Sequence, residues 1–597
     1  MCRIAGFASL SVLPNREERL KSMLDAVAHG GPDDSGQYMD DVVALGHRRL
    51  SIIDLSSAGH QPMVLGDELI ISFNGEIYNY QSLKKELQGL GVIFKTQTDT
   101  EVILHAYRQW GTSVFDRFEG IFAFALYDKE RHKLLLVRDH IGVKPLYYHF
   151  ANKLLVFGSE VRVFAEFQKT WKENENWRIL FLAFGSIPHP YTTIQDVYQL
   201  NPGSFIEINM VDFSYAVHQY KQLKNTVTLT NSHEELEAIK NAVRAAVKKN
   251  LISDAPLGVF LSGGIDSSLL TLLADQFHEN IKTLSVNFDE ASFDEYPYQK
   301  LVLEKTNSVE HISYRVSEHM FWESLPDIWK AMDQPTIDGV NSYFVSKCAN
   351  KDGLKVVLSG LGADEIFGGY ASFKRIKWIK RLRSFLPFKQ SLSRIIGYRN
   401  RAYQRLMYLD IEGPVGDYLF LRGIHTPYVI SGLLDIQEDK VWKAIREVEV
   451  EVPFNSDDRE YVSILETRIY MTNQLLRDTD CMGMWHGLEV RVPYLDVDLL
   501  RQVHAIKPSD RYKDLSHKYL LTKSFLDLIP VEIAKREKKG FTFPIMVWIK
   551  DNPERFKQLI DKNVTAERII KGFEGGLDHW SKYWSLAVLK QFASKWQ

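Results

Sequence analysis

The chain is 597 residues long, and with domains of about 100–200 residues that length implies two or three folded units rather than one core. Hydrophobic residues make up 45% and charged residues 25%, an ordinary globular balance that excludes a disordered or fibrous chain. A formal net charge of −3 gives no general attraction to nucleic acid or to a membrane surface. Cys2, Cys348 and Cys481 are too few and too widely spaced for a disulfide framework, which points to a reducing, cytoplasmic setting. No run approaches the ~18 apolar residues of a membrane helix, so no integral membrane segment is expected.

Residues 1–205 carry short β-type runs at Val43–Leu45, Leu69–Phe73, Ile121–Tyr127 and Lys133–Val137, separated by Gly, Pro and Asn-Gly turns. Helical periodicity at Arg16–Ala28 and Glu101–Trp110 completes an α+β unit. Pro202-Gly203 closes it, and the polar, weakly patterned segment 206–231 reads as a linker. A second unit, 232–597, opens with a helix, an apolar strand at Pro256–Leu261, a Gly-rich loop, a helix at Ser268–Phe277 and a strand at Thr283–Phe288. That alternation predicts an α/β domain with a parallel sheet, and the remainder is mostly helical.

Cys2 becomes a nucleophile that carries its own base if Met1 is removed, because the exposed α-amine titrates near pKa 8 and can take the thiol proton. It stands in the run MCRIAGF, followed in order by HGGPDDSG, LGHRRLSIIDL, FNGEIYNY and TDTEVI. Together these segments resemble the class II, N-terminal-nucleophile glutamine amidotransferases. The resemblance implies an αββα sandwich in which Arg49, Asn74, Gly75, Glu76 and Asp99 hold L-glutamine. Such roles suit the residue types: Arg49 offers a fork for the α-carboxylate and Asp99 a counter-charge for the α-ammonium. Asn74 and the Gly75 N–H would form an oxyanion hole. One departure is Gly30, where the family often has arginine before Gly-Pro-Asp.

LGVFLSGGIDSSLL sets Ser262, Gly263, Gly264, Asp266, Ser267 and Ser268 between a strand and a helix, where backbone N–H groups and the helix N-terminus suit a phosphate. The string resembles the PP-loop of ATP pyrophosphatases, which implies that Leu261 and Val286 contact the nucleoside of ATP. A second loop, LKVVLSGLGADEIFGGY, supplies Ser359, Gly360 and Asp364. Asp266 and Asp364 are candidate Mg²⁺ ligands, since that cation takes one or two carboxylates with phosphate oxygens; a helix N-cap is the other reading of Asp364.

Farther on, LLRDTDCMGMWHGLEVRVPYLD, with Asp480, Glu489 and Arg491, is similar to the asparagine-synthetase segment that closes that family's synthetase site, and HKYLLTKSF contains Lys518. REKKGFTFPI, residues 536–545, completes the set. With these motifs in order the chain resembles glutamine-hydrolysing asparagine synthetases over nearly its whole length. The resemblance implies a carboxylate activated as its acyl-adenylate, ammonia passed internally from glutamine, and Lys518 neutralising charge at the adenylate and pyrophosphate. Small-molecule substrates follow, with no nucleic-acid partner, and a homodimer is a possible assembly.

Two positions depart from the aspartate-using members: Leu361 stands where they have glutamate, and Asp338 where a basic residue is common. Both are expected in an altered acceptor pocket, for which a sugar acid or a peptide carboxylate is the alternative to aspartate. The basic stretch 374–405, with Lys374, Arg375, Lys377, Lys380, Arg381, Arg383 and Lys389, reads either as a solvated amphipathic helix or as a docking face for an anionic acceptor or membrane surface.

Overall fold

The computed structural model describes residues 2–220, 227–229, 231–307, 309–385, 401–453, 457–515 and 517–596. Met1, whose removal would free the Cys2 amine, lies outside them.

The first part of the chain supplies twelve strands: β1 (Arg3–Ser9), β2 (Asp34–Met39), β3 (Val43–Arg49), β4 (Met63–Leu65), β5 (Leu69–Ile77), β6 (Gly120–Asp128), β7 (Lys133–Arg138), β8 (Tyr147–Ala151), β9 (Leu154–Gly158), β10 (Tyr198–Gln199), β11 (Ser204–Asn209) and β12 (Tyr215–Gln219). They form two six-stranded antiparallel sheets, ordered β10-β8-β9-β1-β3-β2 and β12-β11-β7-β6-β5-β4. Ile4, Leu45, Ile70, Leu136, Phe157 and Ile206 fill the space between the sheets. Outside the first sheet lies the helix Arg16–Ala26, through Leu20, Met23 and Leu24. Outside the second lie Tyr80–Gly89 and Asp99–Trp110, through Leu83, Ile103 and Tyr107. The layers run αββα. Central strands such as β1, β5 and β6 are therefore buried along their whole length and do not alternate apolar with polar.

The second part supplies β13 (Leu257–Phe260), β14 (Lys282–Asn287), β15 (Glu310–Arg315), β16 (Val356–Leu358) and β17 (Glu489–Arg491), all parallel, in the order β15-β14-β13-β16-β17. Chain order runs outward from β13 to β14 and β15 on one side, then to β16 and β17 on the other. The switch therefore falls between β13 and β16, and such a crevice, beyond the carboxyl ends of the strands, is where open α/β sheets bind ligands. Val259 pairs with Leu358, so the loops after these two strands leave the sheet side by side.

Two expectations are corrected. Segment 206–231 is not wholly a linker, because β11 pairs with β7 and β12 with β11 through residue 219. Residues 221–226 and 230 of that segment lie outside the described residues. The helix Trp177–Phe184, inside the expected first unit, packs instead with Tyr343, Tyr418 and Trp584 of the second. Its sequence WRILFLAF is buried on nearly all sides, so it needs a core all round it. In the basic stretch, the helix Ser372–Phe385 buries Phe373, Ile376 and Ile379 against Leu409, Val462 and Tyr512 and exposes Lys374, Arg375 and Lys377, as an amphipathic helix does. The side chains of Lys380 and Arg383, and all of Lys389, lie outside the described residues.

Candidate functional site

Cys2 is buried at the head of β1, and its backbone N–H donates to Asn74 Oδ1 at 3.2 Å. Burial pushes the thiol above its ordinary range. Asn74, Gly75 and Glu76 lie on β5, and Asn74 Nδ2 is buried without a hydrogen-bond partner among the described residues. Gly75 has φ +142°, and a Cβ there would sit 2.1 Å from the Ile121 carbonyl oxygen, so the strand demands glycine. Asp99, in the first turn of its helix, accepts the Ile77 N–H at 2.9 Å, and burial lifts its carboxyl to about 6. Burial, with Asp99 and Glu489 nearby, also raises Glu76 well above the carboxylate range. Arg49 donates to the carbonyls of Ser56 at 2.7 Å and Asp54 at 2.5 Å, which fixes the loop after β3.

Arg3, next to the cysteine, is fully buried in a strand of otherwise uncharged residues. Its Nε donates to Glu160 Oε1 at 2.7 Å, its Nη1 to Asp480 Oδ2 at 2.7 Å and its Nη2 to the Asp480 carbonyl at 3.3 Å. Lys144 reaches the other Asp480 oxygen at 3.1 Å. A Cβ on Gly30 would meet Arg3 Cγ at 2.7 Å. The Arg3 side chain thus fills the space that a side chain at position 30 would need. Arg491 joins the same boundary: it pairs with Glu489 at 2.5 Å, approaches Glu76 at 3.8 Å and donates to the Asn250 and Ile252 carbonyls. Asp480, Glu489 and Arg491 therefore face the amino-terminal half, and the expectation that they line the second site is corrected.

At the carboxyl ends of β13 and β16 lies a cavity of about 470 Å³. Leu261, Ser262, Gly264, Asp266, Ser267, Val286, Ser359, Gly360, Asp364 and Lys518 all line it, as do Asp338 and Leu361. Gly263 lies just behind, at φ +71°, where a Cβ would press on Tyr298 at 2.8 Å. Ser267 Oγ accepts the Ser262 N–H at 3.1 Å and holds the turn that starts the helix Ile265–Phe277. The first-turn N–H groups of that helix point outward, as an anion site requires. The N-cap reading of Asp364 is corrected, since Gly362 caps the helix Ala363–Phe367 and Asp364 sits inside its first turn.

Lys518 Nζ lies between the two carboxylates, 2.5 Å from Asp266 and 2.7 Å from Asp364; Lys538 Nζ is 2.5 Å from Asp364 on its other oxygen. Burial opposes charge on Asp364, but the two ammonium groups outweigh it and bring the carboxyl down to about 2. Asp266 moves up instead: its burial and the neighbouring Asp364 outweigh the shared Lys518. One of its oxygens, Oδ1, is buried without a hydrogen-bond partner among the described residues. Lys518 itself adopts left-handed backbone, φ +49°, a costly conformation for a side-chain-bearing residue and one that clusters at functional sites.

The same cavity runs on past Glu365, whose carboxyl burial lifts to about 7 and which accepts the Tyr370 hydroxyl at 2.7 Å. Arg422 lies 4.4 Å above the Tyr370 ring and 4.0 Å above that of Tyr470. Arg3, Lys538 and Arg422 were not singled out from sequence. A charge inside the fully apolar run of β1 was the available signal for the first and the REKKGFTFPI segment for the second; for the third there was none.

The glutamine amidotransferase domain family model matches residues 1–221, and the asparagine synthase family model matches residues 238–591. Asparagine synthetase [glutamine-hydrolyzing] 1 of Bacillus subtilis is 32% identical over 96% of this chain and 92% of its own length. A putative asparagine synthetase of Methanocaldococcus jannaschii is 34% identical over 66% of this chain and 82% of its own length. One from Mycobacterium tuberculosis is 29% identical over 87% and 83%.

Proposed function

Because the chain belongs to the glutamine-hydrolysing asparagine synthetase family, we propose that it amidates a carboxylate with ammonia from glutamine, driven by ATP, through an acyl-adenylate. The observation that carries this reading is the placing of Asp266, Asp364 and Lys518 together where the two Gly-rich loops leave the parallel sheet at its switch point.

In the amino-terminal half, the thiol of Cys2 attacks the glutamine side-chain amide, and the processed α-amine takes the proton. The free Asn74 Nδ2 and the Gly75 N–H are placed to receive the oxyanion. Arg49 and Asp99 hold the two charged groups of the amino acid. In the second half, Leu261 and Val286 flank the nucleoside, and the Ser262–Ser267 turn holds phosphate oxygens. Asp266 and Asp364 would hold Mg²⁺, and the unpartnered Asp266 oxygen fits that hard cation. When bound, the cation would offset phosphate charge. Lys518 turns from the carboxylates toward the phosphates and neutralises charge as pyrophosphate departs.

The test is pyrophosphate release that requires both ATP and a carboxylic acid, with transfer of ¹⁸O from the labelled acid into AMP. Release without ¹⁸O in AMP would overturn the adenylate route.

A second reading concerns the acceptor. The Leu361 side chain carries no polar atom, and burial keeps the Asp338 carboxyl above its usual range. An acceptor other than L-aspartate, a sugar acid or a peptide carboxylate, follows from that wall. Asparagine formation by the purified protein, with other acids run in parallel, decides it: L-aspartate should be outperformed.

A further inference from the structure

Arg491 belongs to β17 in the carboxy-terminal half, yet its side chain reaches an acid of the other half. The residue is fully buried and its backbone is pinned: β17 pairs with β16, and the Arg491 carbonyl accepts the Ser359 N–H at 2.8 Å. Its Nη1 donates to the carbonyls of Asn250 at 2.8 Å and Ile252 at 2.6 Å, and its Nε to Glu489. Nη2 has no hydrogen-bond partner among the described residues, and this is the nitrogen that faces Glu76 Oε1, at 3.8 Å. Glu76 is equally incomplete, since its Oε2 is buried without a hydrogen-bond partner among the described residues. Glu76 follows Asn74 by two residues on an unbroken stretch of β5, and side chains at that spacing share a face. Asn74 takes the Cys2 N–H, so that face is the one turned to the nucleophile. Burial, Asp99 and Glu489 all favour a neutral Glu76, and the Arg491 guanidinium works against them.

We propose that Arg491 is a positioning residue of the glutamine site, supplied by the opposite half of the chain: its guanidinium braces Oε1 of Glu76 so that the free Oε2 accepts the α-ammonium of glutamine beside Asp99. The inference rests on the reading of Cys2 and its neighbours as the glutamine site. An ammonium that enters between Glu76 and Asp99 meets two buried acids, and one of them needs a second cation to stay charged. Arg491 supplies it to Glu76. Arginine suits the task because one rigid fork serves Glu489, two carbonyls and Glu76 at once, which the single ammonium of a lysine cannot do. A role confined to neutralising Glu489 would engage Nε and leave the direction of Nη2 without a purpose. The glutamine site is thus completed across the boundary between the halves, by a strand whose partner β16 leads into the second Gly-rich loop.

The test compares L-glutamine with glutaramate, the same molecule without its α-amine, on the full chain. In glutaminase assays Arg491→Met should raise KM for glutamine about 10- to 150-fold, the worth of one hydrogen bond between charged groups, and lower kcat far less. The inhibition constant of glutaramate should not move, because no part of that molecule meets Glu76. Arg491→Lys, which keeps the buried charge, should recover part of the loss and carries the same comparison if the methionine variant does not fold. Glu489→Gln should not raise KM, since it removes an acid that opposes charge on Glu76 and leaves Arg491 in place. In a Glu76→Gln background, Arg491→Met should add little. Equal weakening of glutamine and glutaramate overturns the proposal, as does an unchanged KM in Arg491→Met, or a Glu489→Gln variant as impaired in KM as Arg491→Met. Titration of glutamine into Cys2→Ala separates this inference from the reading it rests on. Binding there that Arg491→Met weakens, in a chain whose wild type hydrolyses no glutamine, upholds the positioning role and overturns Cys2 as the nucleophile instead.

Discussion

Replacing Arg3 with methionine removes a buried cation but keeps most of its volume, so the effect isolates charge. Arg3 makes three hydrogen bonds, to Glu160 at 2.7 Å and to Asp480 at 2.7 and 3.3 Å, with no exposure to water. Breaking a buried ion pair by removing one partner costs about 3–5 kcal/mol. Both acids keep another cation: Glu160 has Arg162 at 2.6 Å and Asp480 has Lys144 at 3.1 Å. That places Arg3→Met at the lower end, about 3 kcal/mol. For a unit of ~150–250 residues, each kcal/mol moves Tm by about 2–4 °C, so calorimetry on the full chain should show its amino-terminal transition about 6–12 °C lower. Gly30→Arg alone should also destabilise, because its Cβ would lie 2.7 Å from Arg3 Cγ. Combining Arg3→Gly with Gly30→Arg should recover much of the loss, since the arginine then enters the same space from the other side. A fall of less than about 3 °C for Arg3→Met, or strict additivity of the exchange, would refute the assignment.

Cys2→Ala should abolish glutaminase activity and leave synthesis from ammonium salts largely intact; equal loss of both in a folded variant would contradict separate sites. Asp266→Asn and Asp364→Asn should each suppress pyrophosphate formation, non-additively and without loss of glutaminase activity, and full retention in either would remove that residue from the site. Asp99 titrates at about 6 because of its burial, so below that pH it is neutral and cannot pair with the glutamine ammonium. Glutaminase kcat/KM should fall as pH drops through about 6, while kcat holds to lower pH because the bound ammonium favours the charged carboxylate. A kcat/KM that stays flat from pH 7 to 5 would exclude that role.

The sequence was most legible where backbone chemistry leaves a compositional mark. Ser-Gly-Gly and Ser-Gly-Leu-Gly after apolar runs marked two loops, which the fold brings side by side through the pairing of Val259 with Leu358. Long apolar runs such as Ile121–Tyr127 marked strands buried on both faces. Less legible was β12, an edge strand exposed at every position, held by backbone bonds that leave no hydrophobic period. Nor did β17 look like a strand, since two of its three residues are charged and neutralise each other inside the protein. Arg491 and Asp480 were right in chemical type and wrong in direction, because a motif fixes which residue is present but not which way it points. Arg422 lies in a helix far from any loop motif, and tertiary packing, including that against Tyr370 and Tyr470, brings it to the cavity.

The charges buried where the two halves meet also bear on how such proteins can be recombined. Arg3 with Asp480, and Glu76 with Arg491, each have one member in either half. A chimera joined between residues 220 and 232 would carry one member of each pair into a partner chosen by different neighbours. A donor half with glycine at position 3 would strand Asp480 on Lys144 alone, and one with arginine at position 30 would bring a side chain to a place shaped for none. Exchange of the halves between relatives should therefore succeed only when positions 3, 30 and 480 are transferred as one unit, although they lie far apart in the chain.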